Sequence, residues 1–539
     1  MTKSKKSLRN LSGSRDWLPE EVAKQEFVKN KLVKLFELWG YKPIQTPIII
    51  NSDNLTLGSP KLSDVAFKLI GQHGEVLALR ADLTTPIARV TAERLKGEKL
   101  PFRFYYVGKV FRYHARKTTN ERELYQIGVE LIGKKEGLSD LECLKIFSDS
   151  LNKLGFKDYL ILINHTSLWK ELFRCFGNLA EELYKALSKK DMILFNSILS
   201  KSRFSKKEKT FWNELIKIKG GKETLKQIKA LSKLSGKFKA EKIINYFKKV
   251  FEILDKNVEI DLSFTSDLDY YTGIYFEAIS SYIGRSVGSG GRYDGLLSKF
   301  GYDVPAIGFT FCLEDLLLVL EKQNKTFPEI KESKSYLTIA IPKGFLHDNS
   351  YKYLSKLGIN FDSGDSRELI FFDKKNKIKG ILVRPNDVGV YVEHGSADLG
   401  IVGLDLLKEQ VPDAVKLKDL KFGKCKLVLA VKKDSGYKRS KDLPANCKIA
   451  TKFTKLSHDF IHTNGLSAEV IKLYGSVELA PLKGLSEAII DLVATGKTLK
   501  ANNLVAIETI LESSAILIAN PVSYKLKRKR INELINKVP

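Results

Sequence analysis

Residues 103–133, RFYYVGKVFRYHARKTTNERELYQIGVELIG, decide the fold of the first half of this chain. Two apolar and aromatic runs, at 102–110 and 126–132, predict strands on either side of a polar, basic loop. Apolar residues at helical spacing predict a helix over 25–39, and a further helix is expected from Leu313 onward. Strands combined with helices in this way indicate an α+β domain, which we place at residues 1–320.

Within that domain, residues 165–254 change character. Lys/Leu-rich segments such as AEELYKALSKKDMILFNSIL (180–199) predict a helical insertion, whose residues we expect to serve packing. The polar stretch EKQNKTFPEIKESKS (321–335) then separates two apolar segments. We interpret it as a linker between two domains.

After the linker, short apolar strands alternate with loops and amphipathic helices. YLTIAIP (336–342), GILVRP (380–385) and ADLGIVG (397–403) are each followed by a segment with helical character. This alternation predicts an α/β domain with a mostly parallel sheet over 336–539. Such sheets bind ligands at the carboxyl ends of their strands, where helix N-termini favour phosphate, so we expect a phosphate-handling enzyme.

The composition excludes several classes of protein. A chain of 539 residues that is 43% hydrophobic and 10% aromatic is neither a single small domain, nor disordered, nor membrane-spanning. The five cysteines are scattered, which argues against a disulfide framework or a zinc cluster. The basic N-terminus continues into polar residues rather than an apolar signal core, so we expect a cytoplasmic protein.

The net charge is high but not decisive. Ninety Lys and Arg against 63 Asp and Glu give +27, which fits a nucleic-acid-binding protein or an enzyme of highly anionic metabolites. The lysines are spread along the chain without a basic tail, as on a solvated basic surface. The motifs must therefore decide the function.

Six segments of the first half resemble the catalytic domain of histidyl-tRNA synthetases in order and spacing. They are GYKPIQTP (40–47), LALRADLTTPIAR (77–89), the 103–133 stretch, LDYYTGIYFEA (268–278), GGRYDGLL (290–297) and AIGFTFCLEDLL (306–317). The resemblance implies a class II synthetase-like fold, an antiparallel sheet with helices, holding a pocket for free histidine. The implied ligands of the amino group and side chain are Asp82, Thr84, Gln126 and Glu130, and the implied walls are Tyr270, Tyr271 and Tyr293. Arg112 matches an α-phosphate arginine of the family and could equally hold the carboxylate of histidine.

The departures from that family concern its phosphate-binding arginines. Thr265, Ser266 and Asp267 stand where synthetases place an arginine, and Asp315 follows Glu314 where they end with Glu-Arg. The loop residues His114, Arg116, Lys117, Thr119 and Asn120 also depart from the family pattern. Without those arginines, the negative charge that develops during adenylation lacks its stabilisers. We therefore expect a histidine sensor without activation chemistry, similar to the synthetase-like regulatory subunit of ATP phosphoribosyltransferase.

Residues 336–539 resemble the short form of ATP phosphoribosyltransferase almost end to end. The matching segments are LTIAIPKG (337–344), ILVRPNDVGVYVEHGSADLGIVGLD (381–405), FGKCKLVLAV (422–431), IKLYGSVELAPLKGLSEAIIDLVATGKTLKANNL (471–504) and NPVSYK (520–525). The resemblance implies a two-lobed fold like that of periplasmic binding proteins. We place lobe I at about 336–425 with 515–539, and lobe II at about 426–514. It also implies ATP and phosphoribosyl pyrophosphate as substrates, with Mg²⁺ carried by the substrates and no metal site on the protein.

The segment DLVATGKTL (491–499) predicts a carboxylate at a strand end and a Gly/Thr-rich loop at a helix start. The predicted ligands of the 5-phosphate are the hydroxyls of Thr495 and Thr498 and the backbone N–H groups of Thr495, Gly496, Lys497, Thr498 and Leu499. Asp491 is predicted to accept from the ribose hydroxyls. Glu478, which we place at another strand end, is assigned to the ribose or magnesium region.

The other lobe is predicted to hold the pyrophosphate. Lys343 closes the first strand and can reach it, while Gly344 lets the backbone approach. Phe345 replaces the arginine usual in the family, which leaves Arg367 and Arg384 as candidates for ATP or pyrophosphate. Finally, Gly400 and Gly403 are predicted to permit close backbone approach to the ligand.

Together these features predict an ATP phosphoribosyltransferase, the first enzyme of histidine biosynthesis, with histidine acting as an allosteric inhibitor through the first half. Its assembly is expected to be a homo-oligomer, with neither tRNA nor membrane as a partner. Two alternatives remain at this point. One is a histidine- or RNA-binding regulatory protein, and the other is an active histidyl-tRNA synthetase.

Overall fold

The structure is a computed structural model that describes residues 13–113, 121–235, 237–254, 256–265, 271–324, 336–361, 369–494 and 496–537. The chain forms two compact units, Met1–Pro328 and Glu329–Pro539. Of the predicted linker, residues 325–335 lie outside the described residues. Among the helices that are described, none is long and apolar enough to cross a membrane.

The first unit is built on one large sheet. Its strands are β1 (Lys42–Pro43), β2 (Ile49–Asn51), β3 (Lys68–Ile70), β4 (Val76–Leu79), β5 (Phe102–Phe111), β6 (Glu123–Ile132), β7 (Leu160–His165), β8 (Lys219–Gly220), β9 (Val258–Asp261), β10 (Ile274–Ile279), β11 (Ser286–Arg292) and β12 (Ala306–Cys312). Nine of these strands form a sheet in the order β1-β5-β6-β12-β11-β10-β7-β9-β8, and β2-β4-β3 form a small second sheet. The pairs from β6 through β12, β11 and β10 to β7 are all antiparallel. The predicted α+β class of this half is confirmed.

Helices pack on both faces of the large sheet and extend away from it. They are α1 (Pro19–Leu38), α2 (Ser52–Gly58), α3 (Pro60–Asp64), α4 (Thr84–Arg94), α5 (Leu138–Leu154), α6 (Thr166–Phe176), α7 (Asn178–Ser188), α8 (Met192–Lys201), α9 (Lys206–Leu215), α10 (Thr224–Ser235), α11 (Glu241–Ile253) and α12 (Leu313–Asn324). The ring of Phe147 on α5 packs against Phe276, Phe309 and Phe311 of the sheet. The predicted helical insertion corresponds to α6–α11, whose buried aromatic residues join the same core.

The second unit has two sheets. Its strands are β13 (Leu337–Pro342), β14 (Ile370–Asp373), β15 (Ile378–Val383), β16 (Leu399–Gly403), β17 (Val415–Asp419), β18 (Cys425–Lys432), β19 (Cys447–Thr451), β20 (Ala468–Lys472), β21 (Ala488–Val493), β22 (Leu504–Ser513) and β23 (Ala515–Ala519). Its helices are α13 (His347–Lys356), α14 (Pro385–Glu393), α15 (Leu404–Gln410), α16 (Thr454–Asn464), α17 (Leu479–Leu482), α18 (Lys497–Ala501) and α19 (Pro521–Ile535). The sheet orders are β14-β15-β13-β16-β23-β17 and β20-β19-β21-β18-β22. We call the part with the first sheet lobe I and the part with the second sheet lobe II.

The prediction of a mostly parallel sheet is wrong. In lobe I, β13 pairs in parallel with β15 and β16, but β14, β23 and β17 pair antiparallel with their neighbours. In lobe II, β19 pairs in parallel with β20 and β21, whereas β18 pairs antiparallel with β21 and β22. The reason is connectivity, because a parallel pair needs a crossover whereas a short hairpin or a direct passage between lobes returns the chain antiparallel. β22 and β23 are separated only by Ser514 and belong to different lobes.

Candidate functional sites

The first site lies on the face of the large sheet that carries α4. In the register of β6 and β12, Glu130 stands opposite Gly308 and Gln126 opposite Cys312. In the register of β5 and β6, Tyr106 stands opposite Gly128. Because side chains alternate along a strand, Gln126 and Glu130 project from the same face as Tyr106. The sheet therefore collects an amide, a carboxylate and a phenol in one place.

Glu130 is the most deeply buried carboxylate of this site, with 1% of its surface exposed. Its side chain accepts hydrogen bonds from the hydroxyl of Thr84 at 2.8 Å and from the hydroxyl of Tyr293. Burial raises the pKa of Glu130 to about 8, although these hydrogen bonds oppose the shift. The free pocket therefore favours the protonated acid near neutral pH, and a cationic ligand would favour the carboxylate.

Asp82 approaches Glu130 from the start of α4. One of its oxygens, Oδ2, accepts from the backbone N–H of Thr85 at 3.0 Å and from its hydroxyl at 2.9 Å. The other oxygen, Oδ1, is buried without a hydrogen-bond partner among the described residues. Burial raises the pKa of Asp82, and the nearby Arg112 guanidinium lowers it. An unpaired buried carboxylate oxygen is costly, so this atom is able to accept a hydrogen bond from a further donor.

The remaining predicted pocket residues differ in burial, and one of them lies outside the described residues. Arg112 follows β5 and donates its Nε–H to the backbone oxygen of Ala81 at 3.0 Å, which fixes the guanidinium beside Asp82. Tyr293 is 3% exposed, whereas Tyr271 is half-buried, as expected for a wall. Tyr270 lies outside the described residues. The structure thus brings Asp82, Thr84, Arg112, Gln126, Glu130 and Tyr293 to one face of the sheet and the start of α4.

Sequence reasoning missed two residues of this pocket. Tyr106 is 2% exposed, donates its hydroxyl to the backbone oxygen of Phe309 at 3.3 Å, and also interacts with Thr84 and Glu130. Gly308 is needed because a Cβ at this position would lie 1.8 Å from Oε2 of Glu130. The alternation of residues along 102–111 could have indicated Tyr106, and the glycine within an otherwise apolar strand could have indicated Gly308.

A buried ion pair supports the position of Tyr293. Arg292 and Asp140 are 1% and 0% exposed in their side chains, and Nε of Arg292 donates to Oδ1 of Asp140 at 2.8 Å. Nη1 of Arg292 donates to Asp294 at 2.8 Å, and Asp294 also accepts from the backbone N–H of Ala306 at 3.1 Å. The residues on both sides of Tyr293 are therefore anchored, which directs its hydroxyl toward Glu130.

Another ion pair occupies the position of a missing family arginine. The Asp315 side chain is 1% exposed and accepts from Nε of Arg285 at 2.6 Å. The neighbouring Glu314 accepts from the backbone N–H of Tyr125 at 3.0 Å. Both carboxylates thus have structural partners. Of the other departures from the synthetase pattern, Ser266, Asp267, His114, Arg116, Lys117, Thr119 and Asn120 lie outside the described residues.

The second site is at the carboxyl ends of the strands of lobe II. Asp491 is half-buried on β21, and burial raises its pKa, while Lys452 lowers it and Glu478 raises it further. Lys452, which sequence reasoning missed, directly follows β19, the parallel neighbour of β21. Parallel neighbours end at the same sheet edge, so a lysine at such an end was the available signal.

Two placements in lobe II differ from the prediction. Asp491 lies within β21 and not at its end, and Glu478 is not at a strand end but precedes α17. β21 continues past Asp491 to Val493, and the chain leaves the sheet after Lys472, so that Leu473–Val477 separate β20 from Glu478. The two carboxylates still interact electrostatically.

The predicted phosphate loop lies between β21 and α18. Gly496 has φ +72°, a conformation that favours glycine, and α18 begins at Lys497. The first N–H groups of a helix have no intrahelical acceptor, so those of Lys497, Thr498 and Leu499 are suited to an anion. The side chain of Leu499 is 8% exposed and packs in the lobe II core, so only its backbone could serve. Thr495 lies outside the described residues.

In lobe I, two exposed cations stand at neighbouring strand ends. Lys343 follows β13 and Arg384 follows β15, and the backbone N–H of Lys343 donates to the oxygen of Val383 at 2.8 Å. Gly344 has φ +77°, which explains its residue type by conformation, since a Cβ there would meet nothing within 4 Å. Arg367 lies outside the described residues.

The structure shows which atoms surround Gly400 and Gly403, while their predicted approach to a ligand stays a prediction. A Cβ on Gly400 would lie 2.7 Å from both Val388 and Val392 of α14, and one on Gly403 would lie 2.3 Å from the carboxylate of Asp405. These glycines make room for a helix and for a buried carboxylate of the chain itself.

Comparisons with known proteins identify a different family for each unit. The family model for histidyl-tRNA synthetase matches residues 13–316, and that for ATP phosphoribosyltransferase matches residues 384–539. The ATP phosphoribosyltransferase of Synechococcus elongatus is 47% identical over 205 residues, which are 38% of this chain and 94% of the relative. That of Rippkaea orientalis is 48% identical over 205 residues, which are 38% of this chain and 97% of the relative.

A solved structure is similar to a large part of this chain. It is described as an ATP phosphoribosyltransferase regulatory subunit/histidyl-tRNA synthetase from Bacillus halodurans. It is 27% identical, with a TM-score of 0.54, over 65% of this chain and 90% of that chain. The class II synthetase-like fold predicted for the first unit is thereby confirmed, and the chain belongs to the ATP phosphoribosyltransferase family, as an enzyme whose first unit belongs to the histidyl-tRNA synthetase family.

Proposed function

We propose that the second unit joins N1 of the adenine of ATP to C1 of phosphoribosyl pyrophosphate, and that histidine bound in the first unit inhibits this transfer. The bond between C1 and the pyrophosphate oxygen breaks, and its electron pair leaves with pyrophosphate. No covalent nucleophile is required. The protein contributes positioning and neutralisation of the departing charge.

The assignment of roles follows the placement of the charges. Asp491 accepts from the ribose hydroxyls, and the loop from Thr495 to Leu499 holds the 5-phosphate. Lys343 and Arg384 stand exposed at neighbouring strand ends of lobe I and neutralise pyrophosphate. ATP and phosphoribosyl pyrophosphate are metabolites of the cytoplasm, which is where we propose that the enzyme acts.

The residues present fit a magnesium ion that arrives with the substrates. Mg²⁺ in such sites is bound by one or two carboxylates together with substrate phosphates. Asp491 and Glu478 form such a pair: burial and, to a smaller extent, Glu478 raise the pKa of Asp491, and a bound cation would favour its charged form. Groups of three or more potential ligands are absent from the described residues. When bound, the ion would neutralise charge on pyrophosphate.

The observation that carries the histidine assignment is the unpaired Oδ1 of Asp82 beside the buried acid Glu130. Two carboxyl groups with raised pKa values and one missing donor suit an ammonium group. Arg112 beside them suits the carboxylate of the same amino acid. The half-buried Tyr271 and the buried Tyr293 suit an imidazole.

A steady-state assay with ATP and phosphoribosyl pyrophosphate tests the proposal. We expect formation of N1-phosphoribosyl-ATP and pyrophosphate, with inhibition by added histidine. An Asp82→Asn variant should keep the transfer rate and lose sensitivity to histidine. Absence of transfer would overturn the catalytic part, and unchanged histidine sensitivity in Asp82→Asn would overturn the regulatory part.

Adenylation of histidine is a second candidate activity, because the first unit matches the synthetase family model. The Arg285–Asp315 pair argues against it, since an arginine neutralised by a buried carboxylate is a poor partner for phosphate. We expect no histidine-dependent exchange of pyrophosphate into ATP and no aminoacylation of tRNA. Pyrophosphate exchange into ATP clearly above that of a control without histidine would support the interpretation as a synthetase.

We further propose a homo-oligomer, because both parent folds are expected to pair through their own surfaces. Size-exclusion chromatography with light scattering measures the mass directly. A fully active monomer would contradict this assembly.

A further inference from the structure

Helix α15 follows a strand of lobe I in the chain, but its side chains contact both lobes. It directly follows β16 in the central part of the lobe I sheet. Its Leu406, however, packs against the hydrophobic core of lobe II. This helix is therefore part of the surface on which the two lobes meet.

Glu409 on α15 caps a helix of the opposite lobe. Its carboxylate accepts from the backbone N–H groups of Lys455 at 2.9 Å and Leu456 at 3.0 Å, and from the hydroxyl of Thr454 at 3.3 Å. These residues form the first turn of α16 in lobe II, whose own N-cap residue, Phe453, supplies no side-chain cap. A carboxylate at a helix N-terminus satisfies orphaned N–H groups and interacts favourably with the helix dipole.

Asp405, one turn earlier on α15, contacts the segment of chain that leads from lobe II into lobe I. The hydroxyl of Ser513 donates to Oδ1 of Asp405 at 2.6 Å, and the backbone N–H of Asp405 donates to the same hydroxyl oxygen at 3.1 Å. Ser513 is the last residue of β22, and β23 of lobe I begins two residues later. Both carboxylates of this helix turn thus hold lobe II elements against lobe I.

The predicted substrate ligands are divided between the same two lobes. Lys343 and Arg384 are in lobe I, whereas Asp491 and the phosphate loop are in lobe II. Transfer requires the pyrophosphate and the ribose to be held in one geometry, so the orientation of the lobes controls whether the ligands converge. A contact that fixes this orientation acts on the reaction without touching substrate.

We propose that Glu409 is a positioning residue that sets the orientation of the two lobes for phosphoribosyl transfer. The proposal rests on the transferase activity proposed above for the second unit. Glu409 acts through α16, which leads from β19 and Lys452, the lysine beside Asp491. Loss of its carboxylate frees α16 to shift relative to lobe I.

The test compares Glu409→Ala and Glu409→Gln with Asp442→Ala in the full chain. Asp442 is a matched control, because its carboxylate accepts from the backbone N–H groups of Lys438 at 3.0 Å and Arg439 at 2.9 Å within lobe II alone. Spin labels on Lys375→Cys and Glu469→Cys, two exposed positions on different lobes, report the interlobe distance. The half-buried Cys175 and Cys425 are replaced by Ser in this background.

We expect Glu409→Ala to broaden the interlobe distance distribution and to lower kcat/KM by about tenfold, since small misplacements of reacting groups are costly. Glu409→Gln, which keeps one acceptor oxygen, should be intermediate, and Asp442→Ala should match the parent protein in both measurements. Distances and kinetics of Glu409→Ala equal to those of Asp442→Ala would overturn the proposal. A changed distance in a protein without any transfer activity would instead overturn the proposed function and leave the lobe contact standing.

Discussion

The two sites of this chain handle charge in opposite ways. In the first unit, Asp82 and Glu130 are buried carboxyl groups, 6% and 1% exposed, whose pKa values burial raises. In the second unit, Lys343, Arg384 and Lys497 are exposed at strand ends and a helix start, and Asp491 is half-buried. The charged groups of the first site are therefore buried acids. Those of the second site are mostly solvent-exposed cations and backbone N–H groups.

The difference matches the ligands that we propose. A single small zwitterion gains most from desolvated partners, because a charge pair is stronger where water is excluded. Substrates with several phosphates cannot be desolvated so completely, and they suit exposed cations that close around them. Sensing and catalysis can therefore be perturbed separately, and the following experiments do so.

The largest effect is expected from the ion pair beneath the pocket. Arg292→Met leaves Asp140 buried without its partner, which should lower the free energy of unfolding of the first unit by about 3–5 kcal/mol. All four tryptophans, Trp17, Trp39, Trp169 and Trp212, lie in the first unit, so their fluorescence in urea reports its unfolding alone.

The matched control for this prediction is Arg174→Met. Arg174 pairs with Glu171 but is 62% exposed in its side chain, so its loss should be barely measurable. Equal shifts of the urea midpoint in the two variants would contradict the structural role assigned to Arg292.

The next effect concerns the second site. Asp491→Asn removes the carboxylate proposed to bind the ribose, and kcat/KM for transfer should fall by roughly a hundredfold. The affinity for histidine, measured by isothermal titration calorimetry, should not change. The proposed site would have to move elsewhere if Asp491→Asn kept parental turnover.

A smaller effect is expected on inhibition. Glu130→Gln removes the charge that faces the ammonium of histidine, and Tyr271→Ala removes a wall. A lost charged contact is worth about 1.5–3 kcal/mol, so the inhibitory concentration should rise by about ten- to a hundredfold. Transfer without histidine should stay near the parental rate, as it should in the exposed control Glu98→Gln. Parental sensitivity in both pocket variants would place the histidine site elsewhere.

The smallest effect is a pH dependence of histidine binding. The raised pKa of Glu130, about 8, means that the free pocket holds a proton that an ammonium ligand must displace. Affinity should therefore rise with pH, by up to about tenfold per unit, until the pH passes the pKa of Glu130. Calorimetry in buffers of different ionisation enthalpy should detect proton release. A flat profile in the parent protein, or the same slope in Glu130→Gln, would show that Glu130 is not the linked group.

The sequence predicted the fold class of each half because its signals are local. Alternation in 102–132 predicted β5 and β6, and the strand and helix segments after residue 336 predicted an α/β unit. Strand direction was predicted incorrectly, since the pairing of β22 and β23 depends on partners far away in the chain. The candidate residues of both sites remain predictions, and the structure shows which of them lie together.

By itself, the sequence determined the residue types available for chemistry, namely the acids and tyrosines of the first half and the Gly/Thr loop of the second. Only the tertiary structure decided the protonation and the hydrogen bonding of these residues. The raised pKa of Glu130 requires burial under α4 and β12, and the unpaired oxygen of Asp82 requires knowledge of every neighbour. The tertiary structure also places Gly308 opposite Glu130, which explains why glycine is needed there. It places α16 of lobe II beside Glu409, which gives that carboxylate its partner. Desolvation and contacts between distant segments are properties of the packed chain, and no local pattern encodes them.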